Sequence, residues 1–177
     1  MVKTEFEVRF LGIVEKEIIK KLESLGATFV GDWFQVRNVY DFTPKIPNQW
    51  VRLRTNGETT TLTIKEIKAE TVDGTKELEI EVSDFATTDA ILNKLGYVAR
   101  AREENKRKRY ILDGVEIDID TWPLIPTFIE IEAESEEQIK DICKKLGLDY
   151  SKACTLNVMA IHSEIYGVDL FTKKSVF

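Results

Sequence analysis

Residues 106–122, KRKRYILDGVEIDIDTW, hold two alternating runs joined by an Asp113-Gly114 turn, one run basic and the other acidic. Alternation with period two places every second side chain on the same side of a strand, and a two-residue Asp-Gly link suits an antiparallel hairpin. On one face of this hairpin stand Arg107 and Arg109, then Glu116, Asp118 and Asp120; the acidic run backs these with Val115, Ile117 and Ile119. The decisive point is that a face normally given to mixed polar residues carries like charges, segregated strand by strand.

The same pattern recurs outward in both directions. EFEVRF (5–10), FQVRNVYDF (34–42), WVRLRT (50–55), TTTLTIKEI (59–67), ELEIEV (77–82) and FIEIEAE (128–134) all alternate, and Asn56-Gly57 and Asp73-Gly74 add further turn signals. Glu5, Glu7 and Arg9 share a face, as do Arg52 with Arg54, Glu79 with Glu81, and Glu130 with Glu132 and Glu134. Phe6, Val8, Phe10, Val51, Leu53, Leu78, Ile80, Val82, Ile129 and Ile131 take the opposite faces, which are expected to be buried. A solvated sheet face also alternates. Same-sign neighbours about 7 Å apart nevertheless repel unless an opposite charge lies between them. The reading that reconciles both faces is α+β: a closed eight-stranded antiparallel β-barrel with helices outside and charge within. A barrel of this size holds one small ligand.

Three helical stretches end on glycine: Val14–Leu25 before Gly26, Asp89–Leu95 before Gly96 and Glu136–Leu146 before Gly147. Ser135 with Gln138 fits a capping box, and Thr155–Tyr166 reads as a fourth helix. The apolar stripes Ile18, Ile19, Leu22, Leu25 and Ile139, Ile142, Cys143, Leu146 belong to the core. At 177 residues and 43% hydrophobic content the chain is expected to form one domain over residues 1–177. A net charge of −6 argues against a nucleic-acid partner. With no signal-peptide pattern or bilayer-length apolar run, the expectation is a cytoplasmic protein without a membrane partner. Cys143 and Cys154 have no metal-site spacing, a single histidine, His162, excludes a histidine cluster, and Trp33, Trp50 and Trp122 read as packing.

Two chemistries face the proposed interior. The guanidinium forks of Arg52, Arg54, Arg107 and Arg109, with the Lys65 ammonium, suit polyphosphate oxygens. The carboxylates Glu5, Glu7, Glu130 and Glu132 suit Mg2+ or Mn2+. No glycine-rich phosphate loop is present, so side chains must do the recognition.

The ordered series Glu5-Phe6-Glu7-Val8-Arg9, VRLR, Lys65 in TLTIKE, ELEIEV, KRKRY, EIDIDTW and FIEIE resembles the CYTH superfamily, the triphosphate tunnel metalloenzymes. That resemblance implies a divalent-metal-dependent enzyme acting on a triphosphate, foremost a class IV adenylate cyclase converting ATP to cyclic AMP and pyrophosphate. The alternatives are a triphosphatase for inorganic, thiamine or nucleoside triphosphate and a non-catalytic polyphosphate binder; a homodimer is compatible. It implies that Glu5, Glu7, Glu130 and Glu132, completed by Asp118 or Asp120, bind metal, and that Arg52, Arg54, Lys65, Arg107 and Arg109 hold the triphosphate. Catalytic roles fall to Lys65 and Arg9. Arg9 stands where the pattern has lysine; it keeps the charge but cannot give up a proton, which leaves Lys65 as the inward base.

Overall fold

The computed structural model describes residues 2–168 and 175–177. Its strands are β1 (Lys3–Phe10), β2 (Thr28–Asp41), β3 (Gln49–Thr55), β4 (Thr60–Ile67), β5 (Thr75–Val82), β6 (Ala99–Leu112), β7 (Val115–Thr121) and β8 (Phe128–Ala133). They close into a barrel in the order β1-β5-β4-β3-β2-β6-β7-β8. Every neighbouring pair is antiparallel. The closure joins β1 to β8, with Glu7 opposite Glu132 and Arg9 opposite Glu130. The eight-stranded antiparallel barrel expected from the alternation is therefore the architecture found.

Helices α1 (Glu15–Ser24) and α3 (Glu136–Leu146) lie outside one half of it. Their Ile18, Leu22, Ile139, Ile142, Cys143 and Leu146 form one buried cluster with Val8, Tyr110, Ile117 and Ile131. Helix α2 (Phe85–Lys94) covers the other side, where Leu92 packs with Tyr40, Val51 and Leu53. It starts earlier than the stripe from Asp89 suggested, because Asp84 caps it by accepting from the Thr87 N–H. Ser135 caps α3 by accepting from Gln138 N–H, but the Gln138 amide oxygen takes the Glu134 N–H, one residue before the cap. Gly147 ends α3 with φ 77°, a left-handed conformation that suits glycine.

The expectation that all the apolar strand faces are buried fails on β5. Leu78 and Ile80 are 42% and 58% exposed. The helices gather over β1, β7 and β8 and over β3, leaving that stretch of β5 to solvent. The fourth helix is also shorter than Thr155–Tyr166: α4 (Val158–Ala160), capped by Asn157, runs into one π-helical turn, Ile161–Ile165.

Strand polarity defines the two ends of the barrel. Because the pairing is antiparallel throughout, β1, β2, β4 and β7 finish at the end where β3, β5, β6 and β8 begin. A two-way backbone bridge, Arg9 N–H to Cys154 O and Cys154 N–H to Arg9 O at 2.8 Å, ties the segment before α4 to this end. Ile161 then packs there with Trp122, Ile125 and Phe128.

Ile131 is completely buried at the centre of the main cluster, so Ile131→Ala is expected to cost about 2–5 kcal/mol in urea unfolding. Ile80→Ala, on the uncovered face, is expected to stay within about 0.5 kcal/mol of the parent.

Candidate functional site

A cavity of about 580 Å³ runs within the barrel. Alternation delivers Glu5, Glu7 and Arg9 of β1, Arg52 and Arg54 of β3, Lys65 of β4, Arg107 and Arg109 of β6, and Glu130 and Glu132 of β8 to its wall. Arg37, Glu77, Glu79, Glu103 and Glu116 line it as well.

The charges divide into a neutralised wall and two unbalanced patches. Arg107 is the hub of the wall: it pairs with Asp118 at 2.6 Å, Asp120 at 2.5 Å and Glu130 at 2.9 Å. Burial alone would lower its guanidinium pKa, but these carboxylates outweigh that and hold it well above the usual range. Arg109 pairs with Glu116 at 2.6 Å and Asp118 at 2.7 Å. Arg9 is clamped between Glu7 at 2.8 Å and Glu130 at 2.6 Å, and donates to Leu156 O at 3.0 Å. Arg9 is thus a fixed counter-ion and a tie to the α4 segment. Asp118 and Asp120, expected from the sequence to complete a metal site, accept from Arg109 and Arg107 respectively and are not among the residues that line the cavity.

The basic patch comprises Arg37, Arg52 and Arg54. Arg52 reaches Glu77 at 3.1 Å and Glu79 at 3.3 Å, while Arg54 has Glu79 only at 3.8 Å. Arg37 donates to Gln35 and Asn105 amide oxygens and stacks 4.5 Å from the Trp122 ring centre. Its Nε finds no partner among the described residues. Burial, then Arg52 and Arg107, pull the Arg37 guanidinium down to about 10. Arg54 lies well below the usual range through Arg52 first and burial second. Arginine stays charged at neutral pH, so burial beside other cations makes this patch a place that favours an anion.

The acidic patch is the row Glu7–Glu132–Glu116, register partners across β1, β8 and β7. Like charges placed opposite one another destabilise a sheet. The Glu132 carboxyl is pushed up first by burial and then by Glu5 and Glu130, despite the Lys3 ammonium at 2.8 Å. Glu5, Glu7 and Glu132, with Glu130 alongside, supply oxygen donors of the kind that suits Mg2+ or Mn2+. Mg2+ takes one or two protein carboxylates together with substrate phosphates. Among the described residues, no three acidic, cysteine or histidine side chains converge at ligand spacing.

Between the patches, Lys65 contacts Glu77 at 2.6 Å and Glu5 at 3.1 Å. Burial, followed by the charge of Arg52, outweighs those carboxylates and lowers its pKa. Arg37 and Glu77 were not singled out in the sequence. Arg37 lacked a like-charged neighbour two residues away, although its position in the alternating FQVRNVYDF run was a usable signal. In ELEIEV the members facing the cavity are Glu77 and Glu79, while Glu81 is exposed. His162 is wholly buried, its ring nitrogens facing Val158 O and Pro123 O, and Cys143 is a core thiol pushed up to about 11 by burial.

A family model for the CYTH domain matches residues 3–152. Among solved structures, the PH1012 protein of Pyrococcus horikoshii is 25% identical, with TM-score 0.75 over 86% of this chain and 96% of that one. A candidate adenylate cyclase of Vibrio parahaemolyticus gives TM-score 0.76 at 12% identity, covering 94% and 99%. A candidate adenylyl cyclase of Hippeastrum, described as having a dominant triphosphatase activity, gives 0.57 at 14% identity, covering 95% and 96%. At these identities the last two are likenesses of fold. No curated protein matches the sequence.

Arg107→Ala is expected to destabilise the fold by about 3–5 kcal/mol at pH 8, because Asp118, Asp120 and Glu130 are left buried without their shared cation. The sign with pH follows from that. Orphaned carboxyls have folded pKa values above their unfolded ones, so protonation favours the folded variant, and its deficit in thermal melts is expected to shrink from pH 8 to pH 5.

Proposed function

The chain belongs to the CYTH domain family, and from that premise we propose that it is a divalent-metal-dependent enzyme acting on a triphosphate within the barrel, best read as a class IV adenylate cyclase. The observation that carries this reading is the presence of opposite, incompletely balanced charges in one cavity: Arg37 and Arg54 on one side and Glu132, beside Glu5 and Glu130, on the other. A polyphosphate chain with a hard cation satisfies both at once.

In this mechanism Arg52, Arg54 and Arg37 hold the phosphate oxygens with forked, charge-assisted hydrogen bonds. Arg107 and Arg109 add field from the wall while remaining tied to their carboxylates. Glu5, Glu7, Glu130 and Glu132 would hold Mg2+ or Mn2+, which would supply charge neutralisation at the reacting phosphate. The lowered pKa of Lys65 enlarges its neutral fraction, and its Nζ takes the proton from the attacking hydroxyl. In the cyclase that hydroxyl is the ribose 3′-OH, attacking the α-phosphorus with pyrophosphate leaving. A triphosphatase, with water attacking the terminal phosphorus, is the second reading, favoured by the same Lys65 environment because a lysine base serves either nucleophile. Arg9, held between Glu7 and Glu130, supports the base at Lys65 by offsetting carboxylates whose charge raises the lysine pKa.

Products from ATP with Mg2+ or Mn2+, followed by 31P NMR, decide between the readings: cyclic AMP and pyrophosphate for the cyclase, ADP and phosphate for the triphosphatase. Absence of turnover with bound triphosphate would leave a polyphosphate binder. Lys65→Arg is expected to cut kcat by about 100-fold or more while KM changes little. The rising limb of the pH–rate profile should fall below the ordinary lysine value of 10.5, since activity requires the deprotonated amine and its pKa is lowered. Glu5→Gln combined with Glu7→Gln is expected to abolish metal-dependent turnover, with melting curves separating that loss from the cost of breaking the Arg9–Glu7 and Lys65–Glu5 pairs.

A further inference from the structure

Arg37 stands apart from the other cations of the cavity. Every other arginine that lines it has a carboxylate within ion-pairing distance, whereas Arg37 has none among the described residues. Carboxylates are not lacking nearby. Glu103 is the register partner of Arg37 across β2 and β6, and Asp120 stands one side chain away, behind Asn105.

The groups that hold Arg37 are neutral. Its Nη2 donates to the Gln35 amide oxygen at 3.1 Å and to the Asn105 amide oxygen, and its guanidinium lies 4.5 Å from the centre of the Trp122 ring. Gln35 and Asn105 face each other across β2 and β6 and are 5% and 0% exposed. Neither lines the cavity, so a ligand there meets Arg37 and not the amides that hold it.

A carboxylate only accepts and a guanidinium only donates, whereas an amide does both. Asn105 uses both capacities: its oxygen accepts from Arg37 while its nitrogen donates to Asp120 at 3.1 Å. It thereby spaces Arg37 from the carboxylates that neutralise Arg107. An interior guanidinium without a counter-ion is destabilising, and glutamate would match Gln35 in shape while supplying the missing charge. Neutral amides at both positions leave the cation uncompensated, and an uncompensated guanidinium favours an anion.

We infer that Gln35 and Asn105 are positioning residues for the triphosphate, aiming Arg37 into the cavity and, because they are uncharged, keeping its charge available to the ligand. This role rests on the triphosphate reading above and names the residues that set how strongly the basic patch draws an anion.

Gln35→Glu supplies the counter-ion and is expected to move stability and affinity in opposite directions. The melting temperature without ligand is expected to rise by about 2 °C or more. Titration calorimetry of the whole protein with tripolyphosphate and Mg2+ is expected to show affinity reduced about tenfold or more. A glutamate that only repelled the ligand would sit buried and unpaired, and would lower the melting temperature instead. Asn105→Ala adds no charge but opens the way from Arg37 to Asp120, and is expected to weaken tripolyphosphate binding about fivefold or more. Wild-type affinity in either variant, or a fall in the melting temperature of Gln35→Glu, overturns the positioning role and leaves the triphosphate reading standing. Failure of the wild-type protein to bind either tripolyphosphate or ATP with Mg2+ overturns both.

Discussion

The buried pairing of Arg107 with Asp118, Asp120 and Glu130 is the constraint on which the rest of the barrel depends. Moving even one charge from water into a protein interior costs several kcal/mol, and this interior holds more than a dozen charged groups. A single guanidinium that satisfies three carboxylates, one of which also reaches Arg9, turns what would be mutual repulsion on β7 and β8 into a connected network. The outer faces of those strands can then be wholly apolar and pack under α1 and α3.

Neutralisation on one wall sharpens the imbalance elsewhere. Arg37 and Arg54 remain short of negative charge, and Glu132 remains short of positive charge. These are the places where the fold keeps charge incompletely balanced, and where, on the triphosphate reading, an anion with its cation would relieve it. Stability and recognition are thus divided between residues of the same type: Arg107 and Arg9 hold the protein together, while Arg37, Arg52 and Arg54 face outward from that network into the cavity.

Much of this was legible from alternation alone. EFEVRF, VRLR and FIEIE showed which side chains share a face, and closure of the strands put those faces inside, as the positions of Glu5, Glu7, Arg52, Arg54, Glu130 and Glu132 show. What alternation does not reveal is who stands across the ladder. Asp118 and Asp120 stand on an acidic strand, and only the register of β7 against β6, Asp118 to Arg109 and Asp120 to Arg107, gives them the arginine partners that the strand pattern does not show. The same limit hid Arg37, whose significance comes from Arg54 opposite it on β3 and from Trp122 beneath it. The exposed Leu78 and Ile80 belong to a third class. Their alternation is that of a buried face, but burial depends on where helices lie, which a strand pattern does not encode.

The union of β1 with β8 brings together segments more than a hundred residues apart, so during synthesis the first strand waits for the eighth before the cylinder exists. Until that seam zips, every inward charge sits on an open sheet in contact with water and incurs little desolvation. Closing the cylinder dehydrates the inward charges, and at the β1–β8 seam it lays Glu7 beside Glu132 while seating Glu130 against Arg9. Ionic strength and proton concentration therefore act on the closing of the seam far more than on the hairpins that precede it, which makes the assembly of this barrel an electrostatic event carried on a hydrophobic frame.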